Sequence, residues 1–185
     1  MRILGIDPGI DGSLFLLEND KPGKWFIMPT IKVQVGFQKS KGKLKYDADG
    51  NKIPKFKTEV EPVEMVRVFR ELAPDHIFLE EVSSRPAQGV VSVFSFGRSF
   101  GDVRTAGAWL GCPLTRIRPQ IWQDVIFEGL KGKDSKKLAE AAVRKLWPDL
   151  DLRRSKRARK FHEGTCDAAC IAEYGRRQLA EGSQG

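Results

Sequence analysis

Asp7 closes an apolar run in the stretch "RILGIDPGIDG", and Glu80 stands near the end of another in "HIFLEEV". A carboxylate at the mouth of a buried strand is costly unless something neutralises it. A third acid, Asp167, lies in the small-residue segment "TCDAACIA". Glu163 precedes it by four residues, on nearly the same helical face and about 6 Å away along the axis. Two carboxylates so placed repel unless a cation lies between them. Four acids delivered by two strands and one helix are the oxygen ligands that a hard divalent cation requires. Magnesium, which keeps several waters and shares substrate phosphate oxygens, is the natural occupant. Two such ions about 3.5–4 Å apart activate a water and stabilise the leaving oxygen of a phosphodiester.

Each acid also has a plainer use. Asp7 can cap the "PGIDG" turn. Glu80 and Glu81 point to opposite sides of a strand, so one of them faces solvent. Glu163 suits the first turn of a helix through the dipole alone. His162, Cys166 and Cys170 suggest zinc, but on a continuous helix the outer two lie about 12 Å apart, too far to share one ion. The cysteines are therefore read as packing residues.

The elements that position these acids follow from local pattern. "RILGID", "GSLFLLEN" and "KWFIMP" read as three short strands joined by the turns "PGIDG" and "DKPG" (20–23), an antiparallel meander. A lysine-rich stretch from about 31 to 59, with "DADGN" as a hairpin turn, reads as a protruding basic loop or β-ribbon. "PVEMVRVFRELAP" (62–74) has helical spacing behind Pro62, and "DHIFLEEV" (75–82) is a strand, so the pair suggests a parallel crossover. A long helix covers 89–111, where Gly97 and Gly101 share a face and permit close packing. "PLTRIR" (113–118) is a further strand. "PQIWQDVIFEGL" and "KDSKKLAEAAVRKLW" are helices, the second capped by Ser135. "GTCDAACIAEYGRRQLA" (164–180) is the last helix, and 181–185 is a frayed tail. The expected fold class is α/β: one domain over 1–185, with a mixed central sheet flanked by helices. Asp7 and Glu80 then fall at the carboxyl ends of neighbouring strands, where open α/β sheets place their sites.

The chain has 185 residues and a formal net charge of +8, enough length for one sizeable core. The charge is clustered. "KSKGKLKYDADGNKIPKFK" (39–57) carries seven lysines against two aspartates, and "RRSKRARK" (153–160) carries six basic residues and no acid. Such stretches are either solvated faces or the footprint of a polyphosphate partner. No window reaches the roughly 18 apolar residues of a membrane span, and the N-terminus has no apolar signal region. Three cysteines without framework spacing suit a reducing cytoplasm.

Taken together, "GIDPGIDG", "IFLEEV" and "DAACIAEYG" resemble the three acid-bearing segments of RuvC-type Holliday-junction resolvases. "GVVSVFSFGRSFGDVR", "IRPQIWQ", "KGKDSKK" and "IAEYGRR" bring the likeness nearer to phage-encoded members, and the set runs in family order along nearly the whole chain. The resemblance implies a ribonuclease H-like fold and a homodimeric, magnesium-dependent endonuclease (manganese a possible substitute) with two ions per site. It implies cleavage of branched DNA by metal-activated water in a bacterial cytoplasm, if the chain is phage-encoded. Asp7 then matches the first-strand aspartate, Glu80 the glutamate of the fourth strand, and Asp167 the acid of the terminal helix. Bacterial members carry an Asp or His three residues before that acid, where this chain has Gly164. Glu163, with His162 as fallback, is the candidate fourth ligand. Lys131, Lys133, Lys136, Lys137, Arg98, Arg104, Arg153, Arg154, Lys156 and Arg157 become candidates for holding duplex arms. Phe94, Phe96 and Phe100 are assigned to core or dimer contacts, and the helix bearing Gly97 and Gly101 to the dimer. The rivals are a branch or flap nuclease, a non-catalytic DNA-binding module, and an ATP-binding member of the actin-like superfamily, for which a second domain and a glycine loop are lacking.

Overall fold

A computed structural model describes residues 1–81 and 89–182. The last position of the expected strand 75–82 and residues 183–185 of the expected tail lie outside them. The elements run β1 (Arg2–Asp7), β2 (Ser13–Glu18), β3 (Lys21–Ile27), β4 (Thr30–Phe37), β5 (Lys39–Ser40), β6 (Lys43–Leu44), β7 (Pro54–Val60), α1 (Pro62–Leu72), β8 (His76–Glu80), α2 (Val90–Trp109), β9 (Leu114–Ile117), α3 (Pro119–Ile126), α4 (Ser135–Leu146) and α5 (Glu163–Gly182). β3, β2, β1, β8 and β9 form, in that order, one five-stranded sheet. The meander β1–β2–β3 is antiparallel, and β8 joins β1 and β9 in parallel. This is the expected mixed α/β architecture.

Strands β1 and β2 are covered on both faces, which is why they read as continuous apolar runs rather than alternating ones. Ile3, Phe15, Leu17 and Phe78 pack against residues of α3, α4 and α5, among them Trp122, Val143, Cys166 and Cys170. Leu4, Ile6, Leu14 and Leu16 pack on the other side against Met65 and Phe69 of α1 and Val103 of α2. Cys166 and Cys170 are buried packing residues as expected, and burial pushes the Cys166 thiol up to about 12. Among the described residues no helix is long and apolar enough to cross a membrane.

Three local readings are corrected. The β2–β3 turn is made by Asn19 and Asp20, both left-handed (φ 49° and 67°), not by "DKPG". Two successive left-handed residues twist a hairpin in the sense that its strands need, and Asn and Asp tolerate the conformation. Pro22 consequently lies inside β3, an edge strand, where its missing N–H breaks no interior ladder. The cap of α4 is Asp134, whose carboxylate accepts from the amides of Lys136 and Lys137, with Ser135 one residue inside the helix. Gly97 and Gly101 do not pack closely against the described residues: a Cβ at either would meet none of them within 4 Å.

The lysine-rich insert forms a ribbon separate from the main sheet. β4 pairs with β7, with a bulge at Val35, and the short β5–β6 hairpin lies beyond them. Asp47 shapes the "DADGN" turn by accepting from the amides of Asp49 and Asn51.

Candidate active site

The parallel pairing of β1 with β8 has Ile6 opposite Leu79 as its last register pair, so Asp7 and Glu80 follow side by side at the carboxyl ends. Side chains alternate along a strand. Ile3 and Phe78 belong to the core beneath α5, which sends Asp7 and Glu80 to that same face. Helix α5 crosses β1 at Gly5, where an added Cβ would lie 2.1 Å from the Ala168 carbonyl oxygen and 2.4 Å from the Ala172 amide. No side chain fits there, so the helix backbone rests on the strand and carries Asp167 over the two strand acids. One turn earlier, a Cβ on Gly164 would lie 2.5 Å from the Asp11 carbonyl oxygen and 3.0 Å from Oδ2 of Asp7. This is the physical reason for the departure noted in the sequence: the third residue before Asp167 has no room for an acid or a histidine, because the Asp7–Gly12 loop fills the space.

The electrostatics of the three acids follow from this crowding. Asp7 accepts the Gly9 amide at 3.0 Å through Oδ1. Burial raises its pKa, partly offset by that hydrogen bond, with Asp11 adding to the rise. Asp167 is pushed up to about 8, first by burial and then by the charges of Asp7 and Glu80. Glu80 accepts the indole N–H of Trp122 at 3.1 Å, which holds its carboxylate in place. Asp7 and Asp167 share with Lys136, Arg154, His162, Glu163 and Phe96 the wall of a cleft of about 650 Å³.

The fourth candidates stand apart. Glu163 is the first residue of α5, its side chain 61% exposed and paired with Lys136. His162 borders the cleft, its Nδ1 2.9 Å from the Thr165 hydroxyl, which in turn lies 2.7 Å from the hydroxyl of buried Ser13. Burial, and then Arg154, lower the His162 pKa. The His162 carbonyl accepts the amides of Thr165 and Cys166, so this residue starts the helix. Among the described residues no three His, Cys, Asp or Glu side chains close into a ready metal cage. The donor set nevertheless suits a hard cation. It is all carboxylate, and no cation among the described residues lies within ion-pair distance of Asp7 or Asp167. Magnesium is in any case held by one or two carboxylates plus water and phosphate rather than by a full protein cage.

Of the ten basic candidates, only Lys136 and Arg154 border the cleft. Lys131, Lys133, Lys137, Lys156, Arg157 and Arg104 are exposed elsewhere. Arg98 grips Glu59 of β7 through both terminal nitrogens, at 2.8 and 2.5 Å. Arg153 chelates Asp151 and holds its carboxyl down at about 2. Phe100 joins the core, Phe94 is exposed, and Phe96 borders the cleft. Two roles escaped the sequence reading. Trp122 stood in the motif "IRPQIWQ", but nothing in its spacing points to Glu80. Ser13 and Thr165 are 152 positions apart, and no local pattern joins them.

Among solved structures, the chain is similar to Thermus thermophilus RuvC in complex with Holliday junction substrate, with a TM-score of 0.58 at 16% identity over 98% of this chain and 96% of that one. A further T. thermophilus RuvC structure gives 0.54 at 16% identity, over 98% and 97% of the two chains. The yeast mitochondrial Holliday junction resolvase Ydc2 gives 0.50 at 13% identity, over 97% of this chain and 79% of that one. No protein-family model matches the sequence, and no curated protein matches it. The chain has the ribonuclease H-like fold of these structures.

Proposed function

We propose that the chain is a divalent-metal-dependent endonuclease that cuts four-way junctions and other branched DNA, acting as a homodimer. The observation that carries the reading is the meeting of three carboxylates. Asp7 and Glu80 lie side by side at the carboxyl ends of two parallel strands, and α5, resting on β1 at Gly5, lays Asp167 over them. There burial, and then those two charges, push the Asp167 pKa up to about 8. A structural acid gains nothing from such neighbours, whereas a group of acids held together against their repulsion suits a cation. Asp7, Glu80 and Asp167 would hold magnesium, or manganese in its place, and Glu163 joins them on leaving Lys136, with His162 the alternative. A magnesium ion held by these carboxylates would supply an activated water and neutralise charge on the phosphate oxygens.

The remaining residues position these groups. The Gly9 amide orients Asp7 and the Trp122 indole orients Glu80, an outer set of hydrogen bonds of the kind that metal-holding side chains depend on. Lys136 and Arg154 offer positive charge to the phosphate in the cleft. The fold's likeness to a RuvC structure in complex with Holliday junction substrate and to a structure named as a Holliday junction resolvase supports branched DNA as the substrate class. The dimer is assigned to α2, whose glycine face is open.

The test is cleavage of a synthetic four-way junction, a flap and a linear duplex, with magnesium or with chelator, by the wild type and Asp7→Asn. Expected are paired symmetric nicks in the junction, lost with chelator and reduced at least about a hundred-fold in Asp7→Asn, the size of losing one transition-state stabiliser, while junction binding survives. Flap cutting at equal rate makes the chain a general branch nuclease. Tight junction binding with no cutting of any substrate overturns the catalytic reading.

A further inference from the structure

The β4–β7 ribbon carries side chains that solubility does not explain. Eight lysines (32, 39, 41, 43, 45, 52, 55 and 57) stand on residues 30–60 against Asp47, Asp49 and Glu59. Of the acids, Asp47 is used by the turn amides and Glu59 by Arg98. Lysines and a bulge are the ordinary means of keeping a free strand edge from pairing with other chains. They do not account for Phe37, Tyr46 and Phe56, which are 42%, 53% and 52% exposed on the same ribbon. Phe37 and Phe56 border one open groove of about 910 Å³ together with Lys39 and Lys55, and Lys52 lies over the Phe37 ring.

Uncovered aromatic rings among cations are the composition of a surface that stacks bases and tracks phosphates. A protein partner is disfavoured because protein interfaces are depleted in lysine. Base pairs inside a duplex present no free face to a ring, whereas the branch point of a junction or flap does. The root of the ribbon is fixed beside the catalytic cleft. Glu59 is clamped by Arg98 of α2, and Ile10 of the loop after Asp7 borders both the pocket at that root and the cleft itself.

We infer that the ribbon groove holds unpaired nucleotides of branched DNA next to the cut site, Phe37 and Phe56 stacking on bases while Lys39 and Lys55 meet phosphates. The inference rests on the nuclease reading for the polymer being DNA, but its test needs no cleavage. Fluorescence anisotropy of a labelled oligothymidylate and of a blunt duplex of equal length is measured in chelator with the full Asp7→Asn chain. The same chain carrying Phe37→Ala and Phe56→Ala, and one carrying Phe37→Tyr and Phe56→Trp, are measured beside it. The alanine pair is expected to weaken oligothymidylate binding by about ten-fold or more and duplex binding by less than about two-fold, and the aromatic pair to retain both. An unchanged melting temperature shows that the variants are folded, since neither ring enters the core. Equal losses on both DNAs, no loss on either, or binding of anionic lipid vesicles in place of oligothymidylate overturns the inference. A wild type that cuts no junction but shows the stacking effect sinks the nuclease reading alone. Junction cutting without the stacking effect sinks only the ribbon assignment.

Discussion

The seam between α5 and β1 and the outer regions of the molecule use glycine in opposite ways. At Gly5, Gly164 and Gly175 an added Cβ would strike backbone or the Phe78 ring at 2.1–2.5 Å. On the ribbon and along α2, a Cβ on Gly36, Gly42, Gly97 or Gly101 would meet nothing within 4 Å. The seam is a fitted joint with no volume to spare, and it is where the three acids meet. The ribbon and the outer face of α2 are open surfaces, where Gly42 serves a turn, Gly36 stands beside a bulge, and Gly97 and Gly101 face open space. Position within the packing, not residue type, decides which glycines the chemistry depends on.

Breaking the seam gives the largest effects. Gly5→Ala forces the α5 backbone off the strand, and overpacking of this kind costs about 1–3 kcal/mol or more. At about 2–4 °C per kcal/mol for a chain of this size, thermal melting should fall by about 2–12 °C. A fall of less than about 2 °C would show that the helix does not rest on β1. Gly164→Ala pushes on Asp11 and on Oδ2 of Asp7 at the cleft rather than at the centre of the sheet. Junction cleavage should drop by at least about ten-fold, a displacement effect on positioned groups, while melting falls less than in Gly5→Ala. Cleavage at the wild-type rate would place the working position of Asp7 elsewhere.

A smaller effect separates the acids from ordinary surface charge. Folding raises the Asp167 pKa from 3.8 to about 8, so between those values the folded chain keeps a proton that the unfolded chain has released. Its contribution to stability is present below about pH 4 and is lost as pH rises towards 8. Asp167→Asn, neutral at every pH, should match the wild type at about pH 4 and melt a few degrees higher at about pH 9, while being inactive. Magnesium should close that gap for the wild type alone. A melting difference that stays constant from about pH 4 to pH 9 would mean that neither burial nor the charges of Asp7 and Glu80 press on Asp167.

Much of this is legible in the sequence, for identifiable reasons. Asp7, Glu80 and Asp167 interrupt apolar or small-residue runs, so local pattern alone marks each as out of place. The register of β1 with β8 then needs only the parallel crossover to bring the first two together. Gly164 was visible as a departure from the resemblance, but its cause was not, because the obstruction is the backbone of Asp11, far away in sequence. The same limit hid Trp122 against Glu80 and Arg98 against Glu59: an ion pair or hydrogen bond between distant elements leaves no periodic trace. Glu163 was correctly placed at a helix start, yet its engagement with Lys136 comes from α4, whose approach the sequence does not specify. The turn at Asn19–Asp20 was missed because Pro22–Gly23 is the stronger turn signal, and the edge position that lets Pro22 sit in a strand is a property of the whole sheet.

The smallest effect sharpens the other side of the comparison. Gly97 and Gly101 lie inside α2, where glycine costs about 0.5–1 kcal/mol relative to alanine, and a Cβ at either would meet none of the described residues within 4 Å. In an isolated protomer Gly97→Ala and Gly101→Ala should therefore each raise stability by about that amount, read as a rise of about 1–4 °C in melting at low concentration. If α2 forms the dimer, the same methyl groups stand between two helices that need close approach, and the two changes together should shift sedimentation towards monomer. Stability and association would then move in opposite directions. A pair of variants that melt higher and still sediment as the wild type does would move the dimer away from this face, leaving the two glycines without a packing role anywhere in the assembly.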